Sequence, residues 1–585
     1  YWASDQMLNA FKAGKLLGAI ASPRQGVKTG DNTIFLRTWF EVEYQKTTMN
    51  HYGEKKKWFP CNKGGEYRKW YGNNEYVIDW ENDGEKLRNF RDPSTGKLKS
   101  RPQNLSYMLK KGLTYTNVSS TKLSVRFCED GFIFDATGSM IFAKDEYLDY
   151  ILAFLLSDVA EKYAEILSAS MTFEVGQIAS LPIIYRDEEK SNIVNIVKEN
   201  IKEEENDWDS FETSWNFTKH PLLRSVSSIS EAFTQWQSEC DDRFNELKAN
   251  EEELNRIFID IYGLQDELTP EVEDKDVTVR KADLQRDIKS LLSYAVGCMF
   301  GRYSLDRPGL VFAGGNFDAI YWRYKGQAAL DENGDPIEGG YAGISLAEYH
   351  YPKFHDTDDW ETATWLSYEP DADNVIPITD EEYLDDDIVS RLCAWLKVVY
   401  GADTLEENLD YIAKALGNKG STSREIIRNY FLNDFFKDHC QTYSVTGSGK
   451  RPIYWLFDSG KQNGFKALVY LHRYTPDTIG NLRIDYLHKM QRVYESEINR
   501  MQDMMDHSEN AREVAAASKR KDKLAKQLKE CREYDEKISH LALSRIELDL
   551  DDGVKVNYRK LQTAQDGKFY EVLADSKNIM VKEKK

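Results

Sequence analysis

The chain has 585 residues, 41% of them apolar, and a net charge of −21 at pH 7. This length predicts three or four domains, each with its own core. No run is long and apolar enough to span a bilayer or to form a signal peptide, which argues against a membrane protein. Seven scattered cysteines without a Cys-x-x-Cys pair argue against a zinc ribbon or a disulfide framework and favour a reducing cytoplasm.

The charge is unevenly distributed along the chain. Residues 1–130 hold 22 lysines and arginines against 14 aspartates and glutamates, a net charge of +8, so the remaining 455 residues carry −29. A basic segment on an acidic chain suggests a polyanion as the partner of that segment.

The chain begins with a predicted short helix over residues 1–17, with Met7, Leu8 and Phe11 facing inward. A loop with two glycines and two cations follows over residues 21–32, and residues 33–40 alternate like a strand. Glycines let backbone amides approach a phosphate, while a tight surface turn with solvated cations is the alternative interpretation.

Cations and aromatic residues alternate between residues 44 and 122. Lysine and arginine neutralise phosphates and planar side chains stack on bases, so this pattern predicts DNA binding. The alternative is a charged β region whose aromatic side chains form its core. The predicted DNA-binding residues are Arg24, Gln25, Lys28, Arg37, Lys55, Lys56, Lys57, Arg68, Lys69, Lys97, Lys99, Arg101, Lys110 and Lys111.

Residues 127–184 read as a compact α/β module. A hairpin is predicted from Gly131 to Phe142, and a helix follows whose buried face recurs every three or four residues. Residues 176–183 read as a short extended run, and the acidic stretch over residues 187–205 reads as a linker or a domain edge. The predicted buried face of the helix consists of Leu148, Ile151, Leu152, Leu155 and Leu156.

The rest of the chain is predicted to be mainly helical. Long helices are expected over residues 227–262 and 279–301, and a mixed α/β region over residues 302–480. Residues 481–548 contain no proline and predict an antiparallel helical hairpin with a break near residues 507–510, with Ile484 on one of its buried stripes. Residues 549–558 are expected to run from a helix end into a strand or loop. Within the mixed region, helices are predicted over 387–400 and 404–416, and strands over 451–457 and 465–470.

Catalytic motifs are absent from the sequence. It has no P-loop, no Gly-x-Gly-x-x-Gly after a strand and no adjacent prolines, so the Asn-Pro-Pro-Tyr type of motif that grips a flipped base is missing. His350 and His355 are five apart, not the four that place two metal ligands on one helix face. We predict no catalytic, cofactor-binding or metal-binding residue in this chain.

The order of elements in residues 127–184 resembles the target-recognition domains of DNA methyltransferases. The chain as a whole resembles the C-terminal part of the PglX family, the adenine-specific DNA methyltransferases of BREX phage-defence systems, and is similar to large single-chain restriction–modification methyltransferases. The segments that carry this resemblance are 23–32 with Arg37 and Trp39, 207–215, 254–264 with 266–268, 295–303 and 551–558.

The resemblance implies a parent enzyme that transfers a methyl group from S-adenosylmethionine to the exocyclic amine of adenine, marking host DNA as self and serving a defence complex. Because Tyr1 is not a start methionine and the cofactor motifs are absent, we expect the catalytic domain to precede this chain, which would then read DNA without methylating it. The implied partners are double-stranded DNA, that methyltransferase domain and other BREX subunits, in a bacterial or archaeal cytoplasm.

The predicted fold class is α+β and multidomain. Two other functions stay open: an interaction scaffold of the defence complex with little DNA binding of its own, and a nuclease subunit, which lacks a metal–carboxylate cluster in the sequence. The predicted division is a helix or linker (1–19), a DNA target-recognition domain (20–225), a helical spacer (226–305), a second α/β region (306–480), the helical hairpin (481–548) and a tail (549–585).

Overall fold

The computed structural model describes residues 4–49, 56–117, 122–167, 172–317, 321–325, 328–330, 336–341, 350–354, 366–417, 420–445 and 449–581. The chain forms two compact units. The N-terminal unit comprises Tyr1–Pro221, Phe233–Asp283 and Val445–Gly447, and the C-terminal unit comprises Leu222–Ala232, Leu284–Ser444 and Ser448–Lys585. Each unit mixes helices and strands, so the predicted α+β class is confirmed. The finer division into six segments stays a prediction.

Before residue 284 the chain contains eight helices and ten strands among its described residues. The helices are α1 Asp5–Ala13, α2 Asn32–Phe35, α3 Glu81–Arg88, α4 Asp145–Leu155, α5 Asp158–Leu167, α6 Val175–Ala179, α7 Asp187–Trp208 and α8 Ile229–Tyr262. The strands are β1 Lys15–Leu16, β2 Ala21–Arg24, β3 Leu36–Thr38, β4 Trp58–Asn62, β5 Tyr76–Asp79, β6 Gly112–Thr116, β7 Val125–Cys128, β8 Ile133–Phe134, β9 Gly138–Ala143 and β10 Pro182–Ile183.

From residue 284 onward helices dominate. They are α9 Leu284–Met299, α10 Ile388–Tyr400, α11 Leu405–Leu416, α12 Ser423–Asn433, α13 Phe435–Thr442, α14 Thr478–Asn481, α15 His488–His507, α16 Ala511–Ser544, α17 Val554–Lys560 and α18 Ser576–Ile579. The strands are β11 Tyr321–Lys325, β12 Ala328–Leu330, β13 Pro336–Tyr341, β14 His350–Phe354, β15 Ile376–Pro377, β16 Ser444–Val445, β17 Gly449–Lys450, β18 Tyr454–Asp458 and β19 Lys466–Tyr470.

Two four-stranded sheets organise the N-terminal unit. One has the order β2-β9-β6-β7 and is antiparallel throughout. The other has the order β3-β5-β4-β8, and its edge strand β8 runs parallel to β4. The predicted hairpin from Gly131 to Phe142 is therefore wrong, because β8 and β9 belong to different sheets. Between them the Asp135 carboxylate accepts hydrogen bonds from the backbone of Thr137 and Gly138, which turns the chain from one sheet to the other.

The helix after β9 confirms four of the five residues of its predicted buried face, while Leu156 follows the last helical residue and is half-buried. Leu148, Ile151, Leu152 and Leu155 of α4 are at most 2% exposed and belong to one core cluster with residues of β6, β7 and α8. Near the N-terminus the outcome is mixed. Met7 of α1 is buried, but Leu8 and Phe11, predicted to face inward, are exposed. The strand predicted over residues 33–40 is shorter than expected, since α2 precedes β3.

The acidic stretch predicted as a linker is the 22-residue helix α7. Its buried positions are spaced three or four apart, as in any helix that packs against a core. Two of these buried residues are apolar and three are polar. Because so few of them are apolar, the helical repeat of α7 could not be recognised in its acidic sequence. The buried residues are Ile193, Val197, Asn200, Glu204 and Asp207.

The helical hairpin of the C-terminal unit is confirmed. The helices α15 and α16 are joined by a short link, and Arg532 pairs with Glu495 at 2.7 Å while Arg520 pairs with Glu497 at 3.1 Å. Ile484, predicted to be buried, is 60% exposed. It lies in a π-helical segment, Leu482–Leu487, whose wider turn breaks the 3.6-residue phase used in the prediction.

Other predicted elements of this unit have mixed outcomes. The helices predicted over 387–400 and 404–416 are α10 and α11, and the two predicted strands are β18 and β19, which pair with each other. The strand or loop predicted over the tail is wrong, because Val554–Lys560 forms the helix α17 with Val554, Asn557 and Tyr558 buried on one face. His355 and the side chain of His350 lie outside the described residues.

Candidate nucleic-acid interface

Two cations and one aromatic ring meet at the edge of the first sheet. Arg24 ends β2, the outer strand, and its Nη2 donates a hydrogen bond to Tyr107 Oη at 3.3 Å, with the guanidinium carbon 5.1 Å from the ring centroid. The Lys110 ammonium lies 5.6 Å from the centroid of the same ring. The hydrogen bond from Arg24 and its charge lower the pKa of Tyr107. Two basic side chains are thus held beside an accessible aromatic ring.

Three side-chain amides lie next to this group. Gln103 Nε2 donates to the Gly26 carbonyl at 2.6 Å and to Gln25 Oε1 at 3.4 Å, and Asn104 Nδ2 donates to the Gln25 carbonyl at 2.9 Å. Asn104 itself has a φ of +54°, a left-handed conformation that asparagine tolerates. These bonds join residues 25–26 to residues 103–104 and fix where the amides lie.

A backbone bridge extends the same edge. Lys28 N donates to the Arg101 carbonyl at 3.1 Å, and Arg101 N donates to the Lys28 carbonyl at 2.8 Å. Residues directly opposite in an antiparallel pair present their side chains to the same side of the ladder. Both side chains are exposed, so two more cations share one side.

Two predicted lysines continue this set. The Lys99 ammonium lies 3.7 Å from Asp31 and 5.3 Å from the Phe90 ring centroid, and Lys97 is exposed in the preceding turn. We call the whole set the basic edge. It consists of Arg24, Gln25, Lys28, Lys97, Lys99, Arg101, Gln103, Asn104, Tyr107 and Lys110.

Two of the predicted DNA-binding cations are buried and paired with acids. Arg68 is 8% exposed, and its Nη2 lies 2.8 Å from both Glu204 Oε2 and Asp207 Oδ2. Lys69 is 6% exposed and pairs with Glu251 at 2.5 Å. The charges of both are balanced inside the unit, so neither belongs to the basic edge.

The acids around Arg68 have shifted pKa values. Burial raises the pKa of Glu204 to about 7. Burial would also raise the pKa of Asp207, but Arg280 and Arg68 outweigh it and lower that pKa. A backbone N–H of Arg280 donates to Asp207 at 3.0 Å. Arg68, Glu204 and Asp207 therefore form a buried ion-pair cluster that fixes α7, and the partly exposed Arg280 pairs with it from outside.

Four further predicted cations among the described residues, Arg37, Lys56, Lys57 and Lys111, do not belong to the basic edge. Arg37 is 9% exposed and donates to the carbonyls of Thr33 and Leu36, each at 2.8 Å. Lys111 pairs with Asp145 at 3.0 Å. Lys56 and Lys57 are half-buried, with the Lys57 ammonium 5.1 Å from the Trp58 ring centroid, and Lys55 lies outside the described residues.

The aromatic residues of the same region belong mainly to the core. Trp58 and Trp70 are each 1% exposed, and Trp70 Nε1 donates to Glu251 at 2.7 Å. The alternative interpretation, in which the rings form the core and the charges remain outside, therefore holds for these residues.

The sequence analysis did not identify three residues of the basic edge: Gln103, Asn104 and Tyr107. Only the run of amides after Arg101 and Pro102 could have indicated them.

Within the described ranges, no group of three or more histidine, cysteine, aspartate or glutamate side chains is arranged to hold a metal ion. Among the helices of those same ranges, none combines the length and the apolar character needed to cross a bilayer.

Comparison with known proteins gives two long matches, while no family model matches the chain. The adenine-specific methyltransferase PglX of Lacticaseibacillus casei (strain Zhang) is 41% identical over 577 residues, which is 96% of this chain and 44% of that protein. The adenine-specific methyltransferase BrxX of Escherichia coli O9:H4 (strain HS) is 34% identical over 605 residues, which is 99% of this chain and 45% of that protein. The chain thus spans less than half the length of each relative. Because it is similar to both over nearly all of its own length, it belongs to the PglX family.

Proposed function

We propose that this chain is the DNA-recognition part of an adenine-specific DNA methyltransferase that acts in BREX-type phage defence. The basic edge carries the proposal. It combines exposed cations, which suit phosphates, with glutamine and asparagine amides, which suit the major-groove edge of adenine. In this role the chain reads the bases around the target and holds the duplex while the adenine leaves the stack, a step that costs a few kcal/mol.

The side-chain types of the basic edge predict which residues would contact phosphates and which would contact bases. Four exposed cations would contact phosphates, which positions the duplex without reading its sequence: Lys28, Lys97, Lys99 and Arg101. Gln25 and Gln103 hydrogen-bond to each other, so a base edge that pairs with one of them orients the other. Arg24 is held by Tyr107 and has a defined direction before DNA arrives.

The methyl transfer is assigned to a separate catalytic domain of the intact protein, with S-adenosylmethionine as donor. The sequence of this chain has none of the motifs expected to hold that cofactor, so no step on the cofactor is assigned to its residues.

The alternative role is that of an interaction scaffold of the defence complex. It is favoured by the net charge of −29 on residues 131–585, which disfavours DNA binding by that part of the chain.

Fluorescence anisotropy with a labelled duplex over a salt series tests the proposal. We expect the variant Lys28→Gln/Arg101→Gln/Lys110→Gln to lower affinity at every salt concentration and to reduce the slope of log K against log salt by about 3. The control Lys144→Gln/Lys437→Gln/Lys529→Gln removes the same charge from side chains that are 75–79% exposed and do not belong to the basic edge.

Equal losses in the two triple variants would mean that only net charge matters and would reject the basic edge. No measurable duplex binding by the wild-type chain at low salt would favour the scaffold role.

A further inference from the structure

The N-terminal unit also contains a cavity of about 460 Å³ that the proposed function does not use. Five of its described lining residues are aromatic. The Phe132 and Trp215 rings lie 6.0 Å apart, between centroids, at an angle of 44°. Phe59, Tyr71 and Phe127 line it as well, so several π faces and edges border one space.

Three carboxylates line the same cavity: Glu129, Asp130 and Glu205. Burial raises the pKa of Glu205, and the charges of Asp209 and Glu129 raise it further. Glu129 is therefore close enough to Glu205 to disfavour the charged form of Glu205. A cation placed among them would relieve that repulsion.

Among the described residues that line the cavity there is no lysine, arginine or histidine. Lys111 approaches the rim through its backbone, since its N–H donates to Asp130 Oδ1 at 2.7 Å. Its ammonium lies 3.0 Å from Asp145, which does not line the cavity. The hydrogen bond to Asp145 raises the pKa of Lys111, and the nearby charges of Glu129 and Asp130 also help to raise it.

The wall is held in a fixed shape. Leu109, which lines the cavity, has a φ of +63°, a costly conformation for leucine. Leu109 N donates to the Phe132 carbonyl at 2.9 Å, and Gly131 N donates to the Leu109 carbonyl at 3.2 Å. Between two other lining residues, Asn216 Nδ2 donates to Tyr71 Oη at 3.5 Å.

We propose that this cavity binds an organic cation of the alkylammonium or guanidinium class. Aromatic faces attract such cations through their quadrupoles, and the three carboxylates supply opposite charge. No residue of the basic edge lines the cavity, and its acidic residues would repel a phosphate, so the two sites are distinct. The inference goes beyond the proposed function and does not depend on it.

Two sources offer this chemistry: a free polyamine and an arginine side chain of another protein. Isothermal titration calorimetry of the full chain distinguishes them with spermidine and with the peptide acetyl-Gly-Arg-Gly-amide. The same peptide with citrulline in place of arginine is the neutral control. We expect at least one of the two cations to saturate a single site. If the arginine peptide binds, the citrulline peptide should bind at least about 10-fold more weakly than the arginine peptide.

The variant Glu129→Gln/Glu205→Gln should weaken binding of the cation about 10-fold or more. The control Glu85→Gln/Glu188→Gln removes the same charge from two exposed side chains that do not line the cavity, and should change affinity less than about 2-fold. Binding of spermidine alone identifies a polyamine site, and binding of the arginine peptide alone identifies a side-chain site.

Absence of binding by both cations overturns the proposal, as does saturable binding of the arginine and citrulline peptides with the same affinity. Equal weakening by both double variants overturns it too, because the effect is then one of net charge. If circular dichroism shows that Glu129→Gln/Glu205→Gln is unfolded, saturable binding to the wild-type chain and its competition by tetramethylammonium decide the question.

Discussion

Replacing Arg68 by methionine tests whether this cation holds the fold or contacts DNA. Arg68 is 8% exposed, and the side chains of both its partners, Glu204 and Asp207, are 0% exposed. The substitution keeps much of the side-chain volume but leaves two buried carboxylates with one cation fewer. Removing one partner of a buried ion pair costs about 3–5 kcal/mol.

Urea denaturation followed by tryptophan fluorescence measures this loss. With an m value of about 3 kcal/mol/M for the unfolding of the N-terminal unit, the midpoint should fall by about 1–2 M. The triple variant Arg68→Met/Glu204→Gln/Asp207→Asn should recover part of the loss, because the carboxylates are then neutral. The matched control Lys28→Met removes an exposed cation and should shift the midpoint by less than about 0.3 M.

An unchanged midpoint for Arg68→Met, together with weaker duplex binding, would refute the reasoning. It would show that Arg68 reaches DNA and that the buried ion-pair cluster does not form.

Three further predictions concern the same unit. Burial raises the pKa of Glu75 to about 7. The folded state therefore holds the proton of Glu75 more tightly than the unfolded state does. The contribution of Glu75 to stability is present below about pH 4.5 and is lost as the pH rises through about 7. Glu75→Gln should therefore flatten the pH dependence of the urea midpoint between those values and raise the midpoint above pH 7. Gly26→Ala places a Cβ 2.0 Å from the Phe134 carbonyl oxygen, so it should displace the loop of the basic edge and lower both the melting temperature and duplex affinity. Asn104→Ala loses the bond to the Gln25 carbonyl and strains a φ of +54°, and should cost about 1–2 kcal/mol in urea denaturation, whereas Asn104→Gly should cost less because glycine adopts that φ freely.

Local periodicity was enough to predict the long helices. The repeat of apolar residues in α4 depends only on which face of this one helix is buried, so it can be read from a short stretch of sequence. The repeat consists of Leu148, Ile151, Leu152 and Leu155. The same reasoning gave the helical hairpin. It failed at Ile484, where a π-helical turn changes the spacing, and over α7, where buried acids take positions that are usually apolar.

Strand pairing required the tertiary structure. Ile133 and Phe134 alternate like one arm of a hairpin, yet they pair with Cys61 and Asn62 in parallel, more than 70 positions earlier in the chain. A strand's own sequence states which face is apolar, not which distant strand completes its hydrogen bonds.

The sequence by itself determined the family, the mixed α+β class and the basic character of the first 130 residues. It could not separate Arg68 from Lys28, since both are cations in a basic, aromatic stretch. The tertiary structure decided that difference: the fold brings Glu204 and Asp207 to Arg68 across more than 130 residues, while Lys28 stays on an exposed edge. A cation's role depends on the charges around it, and those charges come from segments far away in the chain.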